Sequence, residues 1–198
     1  MTGGYDAIVL AGGRSSRLAG QPKPQLSVGD ATMLERVLSA VRLAGNRIVV
    51  GPVQPVPRGV GIVREEPPGS GPVAALAAGL PHIVAPVVVL VAADLPFLTS
   101  GLIAPLLAAL ADEAGADAAV LVDESGRDQY LLGAWRVGPL RAALAGLEPL
   151  PGRAMREVLG ALQVTRVEVP APTDAPAPWT DVDTPDDLDC ARRQSERS

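Results

Sequence analysis

Apolar positions along this chain fall into two alternating patterns. Short continuous runs, "DAIVLA" (6–11), "RIVV" (47–50), "GIVR" (61–64) and "VVVLVAADLP" (87–96), read as buried strands. "DAAVLV" (117–122) and "YLLGAW" (130–135) flank the polar "DESGRDQ" and read as two more strands, and "VTRVEV" alternates like a last one. Helical stripes separate them. In residues 32–45, Leu34, Val37, Leu38 and Val41 stand at i, i+3, i+4 and i+7, and Thr32 with Glu35 forms a capping-box pattern. "GPVAALAAGL" (71–80) opens a helix with Pro72 in its first turn. Residues 100–114 carry Leu102, Ile103, Leu106, Leu107 and Leu110 on one stripe, and two short helices are expected over 137–145 and 154–162. "PAPTDAPAPW" is an extended proline-rich linker. A final helix then starts with Thr184 as N-cap, Pro185 at its first position and acids in its first turn. Strands alternating with helices predict an α/β fold: three layers, Rossmann-like, with a mostly parallel central sheet. We expect one domain over residues 1–190 and a disordered tail over 191–198.

Composition narrows the classes. The 198 residues are 47% hydrophobic but only 3% aromatic, so the core is aliphatic. A net charge of -5 argues against a nucleic-acid binder with a broad basic face. The longest apolar run, residues 83–93, is too short to span a bilayer, and no signal peptide is legible. The single cysteine, Cys190, rules out an internal disulfide framework and agrees with a reducing cytoplasm. The single histidine, His82, beside Pro81 at a helix end, supports no triad, and no Cys/His spacing suits zinc.

Four stretches can carry chemistry. "VLAGGRSSRLAGQPKPQL" (9–26) follows the first strand but matches neither G-x-x-x-x-G-K-[ST] nor G-x-G-x-x-G. Its Gly12 and Gly13 let backbone N–H groups approach an anion, and Arg14, Arg17 and Lys23 supply positive charge. A solvated surface loop is the plain alternative. Asp94 ends a hydrophobic strand at the same sheet edge, where Mg²⁺ bound to a triphosphate would sit; it reads equally as a turn or cap residue before Pro96. In "TDVDTPDDL", Asp181 and Asp183 face one side of an extended segment, whereas Asp186 and Asp187 complement a helix start. "REEPPGSGPVAAL" brings Gly71 to a helix N-terminus, as a base-covering loop or simply a tight connection.

Taken in order, "LAGG", Arg17-Leu18, Lys23, "GPVAAL", "ADLPF", "GRDQY" and "DVDTPDDL" resemble the molybdenum-cofactor guanylyltransferase family, nucleotidyltransferases of GT-A-like fold. The likeness spans nearly the whole chain, with one extra residue before Lys23. It implies that Leu10, Ala11, Gly12 and Gly13 contact the nucleotide through the backbone and that Arg17 and Lys23 neutralise its triphosphate. It further implies that Gly71 lies near the base, that Asp94 and Asp183 hold Mg²⁺, and that Arg127, Gln129 and Tyr130 line the acceptor. The family pattern N-x-N-T-P is replaced here by Asp181-Val182-Asp183-Thr184-Pro185, which looks more like the cytidylyl-transferring branch, or like phospholactate guanylyltransferases, while "LAGG" looks guanylyl.

The implied reaction moves a nucleoside monophosphate, GMP from GTP in the leading reading, onto the terminal phosphate of a molybdopterin-type acceptor, with release of pyrophosphate. CTP-dependent transfer, or transfer to another small phosphate, is the alternative within the class. A non-catalytic nucleotide-binding sensor is the alternative outside it. The expected setting is a cytoplasmic monomer or weak homo-oligomer, with no nucleic-acid or membrane partner.

Overall fold

The structure is a computed structural model describing residues 4–12, 17–18 and 21–196. Seven strands form one sheet: β1 (Tyr5–Leu10), β2 (Arg47–Val50), β3 (Val60–Val63), β4 (Val87–Ala92), β5 (Ala118–Val122), β6 (Asp128–Arg136) and β7 (Val164–Glu168). Their spatial order is β7-β5-β6-β4-β1-β2-β3. All neighbours pair in parallel except β6, which runs antiparallel to both β4 and β5. This is the predicted mostly parallel α/β sheet. Six helices accompany it: α1 (Met33–Ala40), α2 (Pro72–Gly79), α3 (Ser100–Asp112), α4 (Val137–Gly146), α5 (Met155–Gly160) and α6 (Pro185–Ser195).

The strands are apolar on both faces because helices cover both faces. Ala7, Val9, Val49, Val89 and Val91 pack with α1 and α3 through Leu34, Val37, Leu38, Leu102, Ile103 and Leu106. Their neighbours Ile8, Leu10, Ile48, Val50, Val88 and Leu90 pack with α2, α4 and α5. A third, smaller cluster joins Leu18, Leu26, Val28 and Met33 to Val182, Leu188 and Ala191, fastening α6 to the segment after the glycine-rich loop.

Two boundaries differ from expectation. The α1 stripe predicted to reach residue 45 stops at Ala40, where the chain tightens into turns (Arg42 N to Ser39 O, Ala44 N to Val41 O). It must turn there because Gly45 N donates to Tyr5 O and Asn46 N to Asp6 Oδ1, docking the segment on the start of β1. At the other terminus, residues 191–195 are not a disordered tail. They complete α6, because Leu188 and Ala191 form an i, i+3 pair buried in the third cluster.

The strand order places the site. From β1 the chain steps to β2 and β3 on one side, then returns to β4 on the other. The reversal lies between β1 and β4, and their C-terminal ends form the crevice where open α/β sheets bind ligands.

Candidate active site

Main-chain bonds assemble the crevice from three distant segments. Ala11 N donates to Val50 O and Ala93 N to Leu10 O, holding the ends of β1, β2 and β4 together. Val182 N donates to Asp94 O, so "DVDTP" is stitched to the end of β4. The stitch fixes where Asp183 can lie, since Val182 is fully buried. A capping box then secures the next residues. Thr184 Oγ1 accepts from Asp187 N, and Asp187 Oδ2 accepts from Thr184 N, Thr184 Oγ1 and Asp183 N. Asp186 and Asp187 thus belong to the helix start, as the sequence suggested.

Lys23 sits at the centre. A 3₁₀ turn, Lys23–Gln25, carries it, and only 5% of the residue is exposed. Its Nζ donates to Asp94 Oδ2 at 2.8 Å and to Asp183 Oδ1 at 2.6 Å. Burial alone would lower the lysine pKa; the carboxylates of Asp94 and Asp183 outweigh it and hold the value above the usual one. Lys23 is also the sole lysine of the sequence: the other 16 basic residues are arginines.

Two cavities meet at Asp94. The first, ≈ 380 Å³, is lined by Leu10, Gly12, Glu65, Gly71, Asp94 and Leu131, among others. The second, ≈ 220 Å³, is lined by Asp94, Arg127, Gln129, Tyr130, Asp181 and Asp183, with others. Leu10 and Ala11 bury their side chains in the core. Gly13 and Arg14 lie outside the described residues, as does the side chain of Arg17, whose backbone pairs with Pro22.

Glycine is required at two of these positions. Gly71 is the N-cap of α2 with φ +94°, a left-handed conformation that side chains rarely adopt. At Gly51, just after β2, a Cβ would stand 2.8 Å from Ala11 C and 3.0 Å from Gly12 N. The loop crosses that backbone at closest approach, and Gly51 drew no attention in the sequence.

Glu65 was missed as well. It is 95% buried beside the first cavity; Oε1 accepts from Gly69 N at 2.9 Å, and buried Oε2 has no hydrogen-bond partner among the described residues. Its only sequence signal is a carboxylate just after a strand. Next to Arg127 and Gln129, which line the second cavity, Asp123 organises the turn before β6. It accepts from Ser125 N and Oγ, Arg127 N and Gln129 Nε2, and these bonds, led by Ser125, hold its carboxyl at about 2.

The pattern of this chain matches the model of the MobA-like NTP transferase domain over residues 7–167. The chain belongs to this family. A relative from Rhizobium johnstonii, a molybdenum cofactor guanylyltransferase, is 33% identical over 196 residues, spanning 94% of this chain and 90% of that one. A probable molybdenum cofactor guanylyltransferase of Mycobacterium tuberculosis is 34% identical over 137 residues, 65% of this chain and 66% of that one. Among solved structures, molybdopterin-guanine dinucleotide biosynthesis protein A from Archaeoglobus fulgidus superposes with TM-score 0.75 at 19% identity, covering 98% and 100% of the two chains. A 2-C-methyl-D-erythritol 4-phosphate cytidylyltransferase from Thermus thermophilus gives 0.70 at 24% identity, covering 96% and 98%. At those identities the two structures establish the shared fold alone. No helix among the described residues is long and apolar enough to cross a membrane.

Proposed function

We propose that this protein transfers GMP from GTP to the terminal phosphate of a molybdopterin-type cofactor and releases pyrophosphate. The family and the names of its curated relatives support the reaction class and the acceptor. One observation supports the base: Glu65 lines the larger cavity, and its buried second oxygen has no hydrogen-bond partner among the described residues. Guanine presents two donors on its Watson–Crick edge, N1–H and the 2-amino group, which a carboxylate accepts. Cytosine presents one amino donor there. A buried acceptor also penalises any base that leaves it unpaired. Glu65 therefore favours guanine over the cytosine that "DVDTP" suggested.

The donor set suits Mg²⁺. Asp94 and Asp183 aim one oxygen each at a single cationic centre. Among the described residues no three Asp, Glu, His or Cys side chains form a cage. That is the usual magnesium arrangement: one or two carboxylates, with phosphate and water oxygens completing the shell. Asp94 and Asp183 would hold the ion, which when bound supplies charge neutralisation to the triphosphate.

In the reaction, an oxygen of the acceptor phosphate attacks the α-phosphorus. The bond from that phosphorus to the bridging oxygen breaks, and pyrophosphate leaves with the electron pair. The attacking phosphate is already ionised at neutral pH, so no protein base is needed. His82 is exposed at the far end of α2 and takes no part. Positioning would come from the two cavities, one for the nucleotide and one for the acceptor, which both reach Asp94. Lys23 provides the positive charge for the phosphates. Arg127, Gln129 and Tyr130 border the acceptor side. The assembled Lys23–Asp94–Asp183 group argues against a sensor that only binds nucleotide.

The test is pyrophosphate release with Mg²⁺, a phosphorylated pterin acceptor and each of GTP, CTP, ATP and UTP. GTP should lead by at least tenfold. Equal or better turnover with CTP would overturn the guanine reading, and no release with any nucleotide would favour the sensor. A cytoplasmic monomer or weak homo-oligomer accords with small soluble substrates and a lone cysteine.

A further inference from the structure

Lys23 occupies an awkward position for a phosphate-binding lysine. Its ammonium stands within 2.8 Å of Asp94 and 2.6 Å of Asp183, the two carboxylates that suit a divalent cation. An ammonium and a metal ion cannot both sit at bonding distance from the same two oxygens without strong mutual repulsion. Without either cation, these carboxylates, with Asp181 beside them on the smaller cavity, would repel one another at the sheet end.

We infer that Lys23 is a stand-in cation: in the nucleotide-free protein it fills the divalent-cation position, and the arriving triphosphate draws it away. Nucleotide and metal therefore load together, and each is bound weakly alone. The inference rests on the GTP–Mg²⁺ reading of the site and adds an order of events to it. The flexible four-carbon stem suits the exchange, since an ammonium is a compact charge with three freely rotating donors. A guanidinium at this spot would be held by its planar fork, and all other basic residues of the chain are arginines. Linkage makes the effect reciprocal: the factor by which GTP raises metal affinity equals the factor by which metal raises GTP affinity.

The experiment measures Mn²⁺ binding by electron paramagnetic resonance on the full chain, wild type and Lys23→Met, with and without a non-hydrolysable GTP analogue. Free Mn²⁺-nucleotide binding is subtracted. Wild type should bind Mn²⁺ weakly alone and at least tenfold more tightly with the analogue. Lys23→Met should bind Mn²⁺ alone at least tenfold more tightly than wild type does. Equal affinity of the two nucleotide-free proteins overturns the stand-in role. No Mn²⁺ binding in any state, analogue included, overturns the metal–nucleotide reading itself. Because Lys23→Met can fail to fold, the wild type carries a second readout. Carbon-13 lysine labelling gives one side-chain Cε signal, that of Lys23. That signal should move on adding metal-free analogue and stay fixed on adding Mg²⁺ alone at millimolar concentration. Movement with Mg²⁺ alone, or none with the analogue, overturns the inference.

Discussion

Carboxylates stand under strong constraint near both ends of the β1–β4 strand pair, and they are constrained in opposite ways. Asp6, at the start of β1, is 2% exposed. It accepts four hydrogen bonds, from Asn46 N and Nδ2, Val84 N and Ala85 N. Three of those donors are backbone amides of the chain turns they anchor. Beyond the far end, Asp94 and Asp183 are compensated by one ammonium on a long flexible stem. Backbone donors cannot leave without unfolding, whereas a lysine can swing away. The first arrangement stabilises a fold; the second stores a site that ligand can reorganise.

The sharpest way to break this contrast is Asp94→Asn. It should lower kcat/KM by about 10³-fold, on the scale of lost transition-state charge stabilisation, while Tm holds, because Asp183 still pairs with Lys23. A fall in both would make Asp94 a structural residue like Asp6. Asp6→Ala should do the reverse. Four hydrogen bonds to a buried charge are lost, costing about 3 kcal/mol or more. For a chain this size that is a Tm fall of roughly 6–12 °C by calorimetry, with kcat retained at low temperature. Glu65→Gln should reduce the preference for GTP over CTP by about 10- to 100-fold, about 1–3 kcal/mol, with little change in Tm. An unchanged ratio of kcat/KM values would remove Glu65 from base selection.

The smallest effect is in acid. Burial by itself would raise the Asp6 carboxyl pKa. The bonds from Ala85, Asn46 and Val84 overcome this and hold it below the ordinary 3.8. A carboxyl depressed on folding stabilises above its unfolded pKa and loses that stabilisation as pH falls through the folded value. The stability gap between wild type and Asp6→Asn, read from urea unfolding, should be constant from pH 7 to pH 5. It should narrow below about pH 4. A gap that stays constant down to pH 3 would mean that the native bonds do not favour the charged form.

Much of this was legible in the sequence because it is local. The Thr32 and Thr184 caps occur as their patterns indicate, and both strand faces follow from the apolar runs. Asp94 and Asp183 were identifiable since each lies where a strand end or helix start exposes a carboxylate. The pairing through Lys23 was not, because it spans 71 and 160 positions of sequence. Glu65 was illegible for another reason: its value comes from one oxygen being satisfied by Gly69 N and the other not, which "REEPPG" does not reveal. The helical end of the chain was hidden by its charges. Arg192 and Arg193 look solvated in the sequence, yet Ala191 is buried one turn after Leu188, Arg192 Nε donates to Ser27 O, and Ser195 Oγ accepts from Arg36.

The bond from Val182 N to Asp94 O makes the last part of the chain a latch on a finished hull. All seven strands are complete by Glu168, and the matched family domain ends at residue 167. Asp183 arrives afterwards, across the proline-rich strap, and clips onto the end of β4. Removing the segment behind β7 would remove Asp183 and leave Asp94 as the remaining carboxylate of the pair on Lys23. The carboxylate set facing Lys23 is thus completed by the segment behind β7, which closes on a sheet whose strands all precede it.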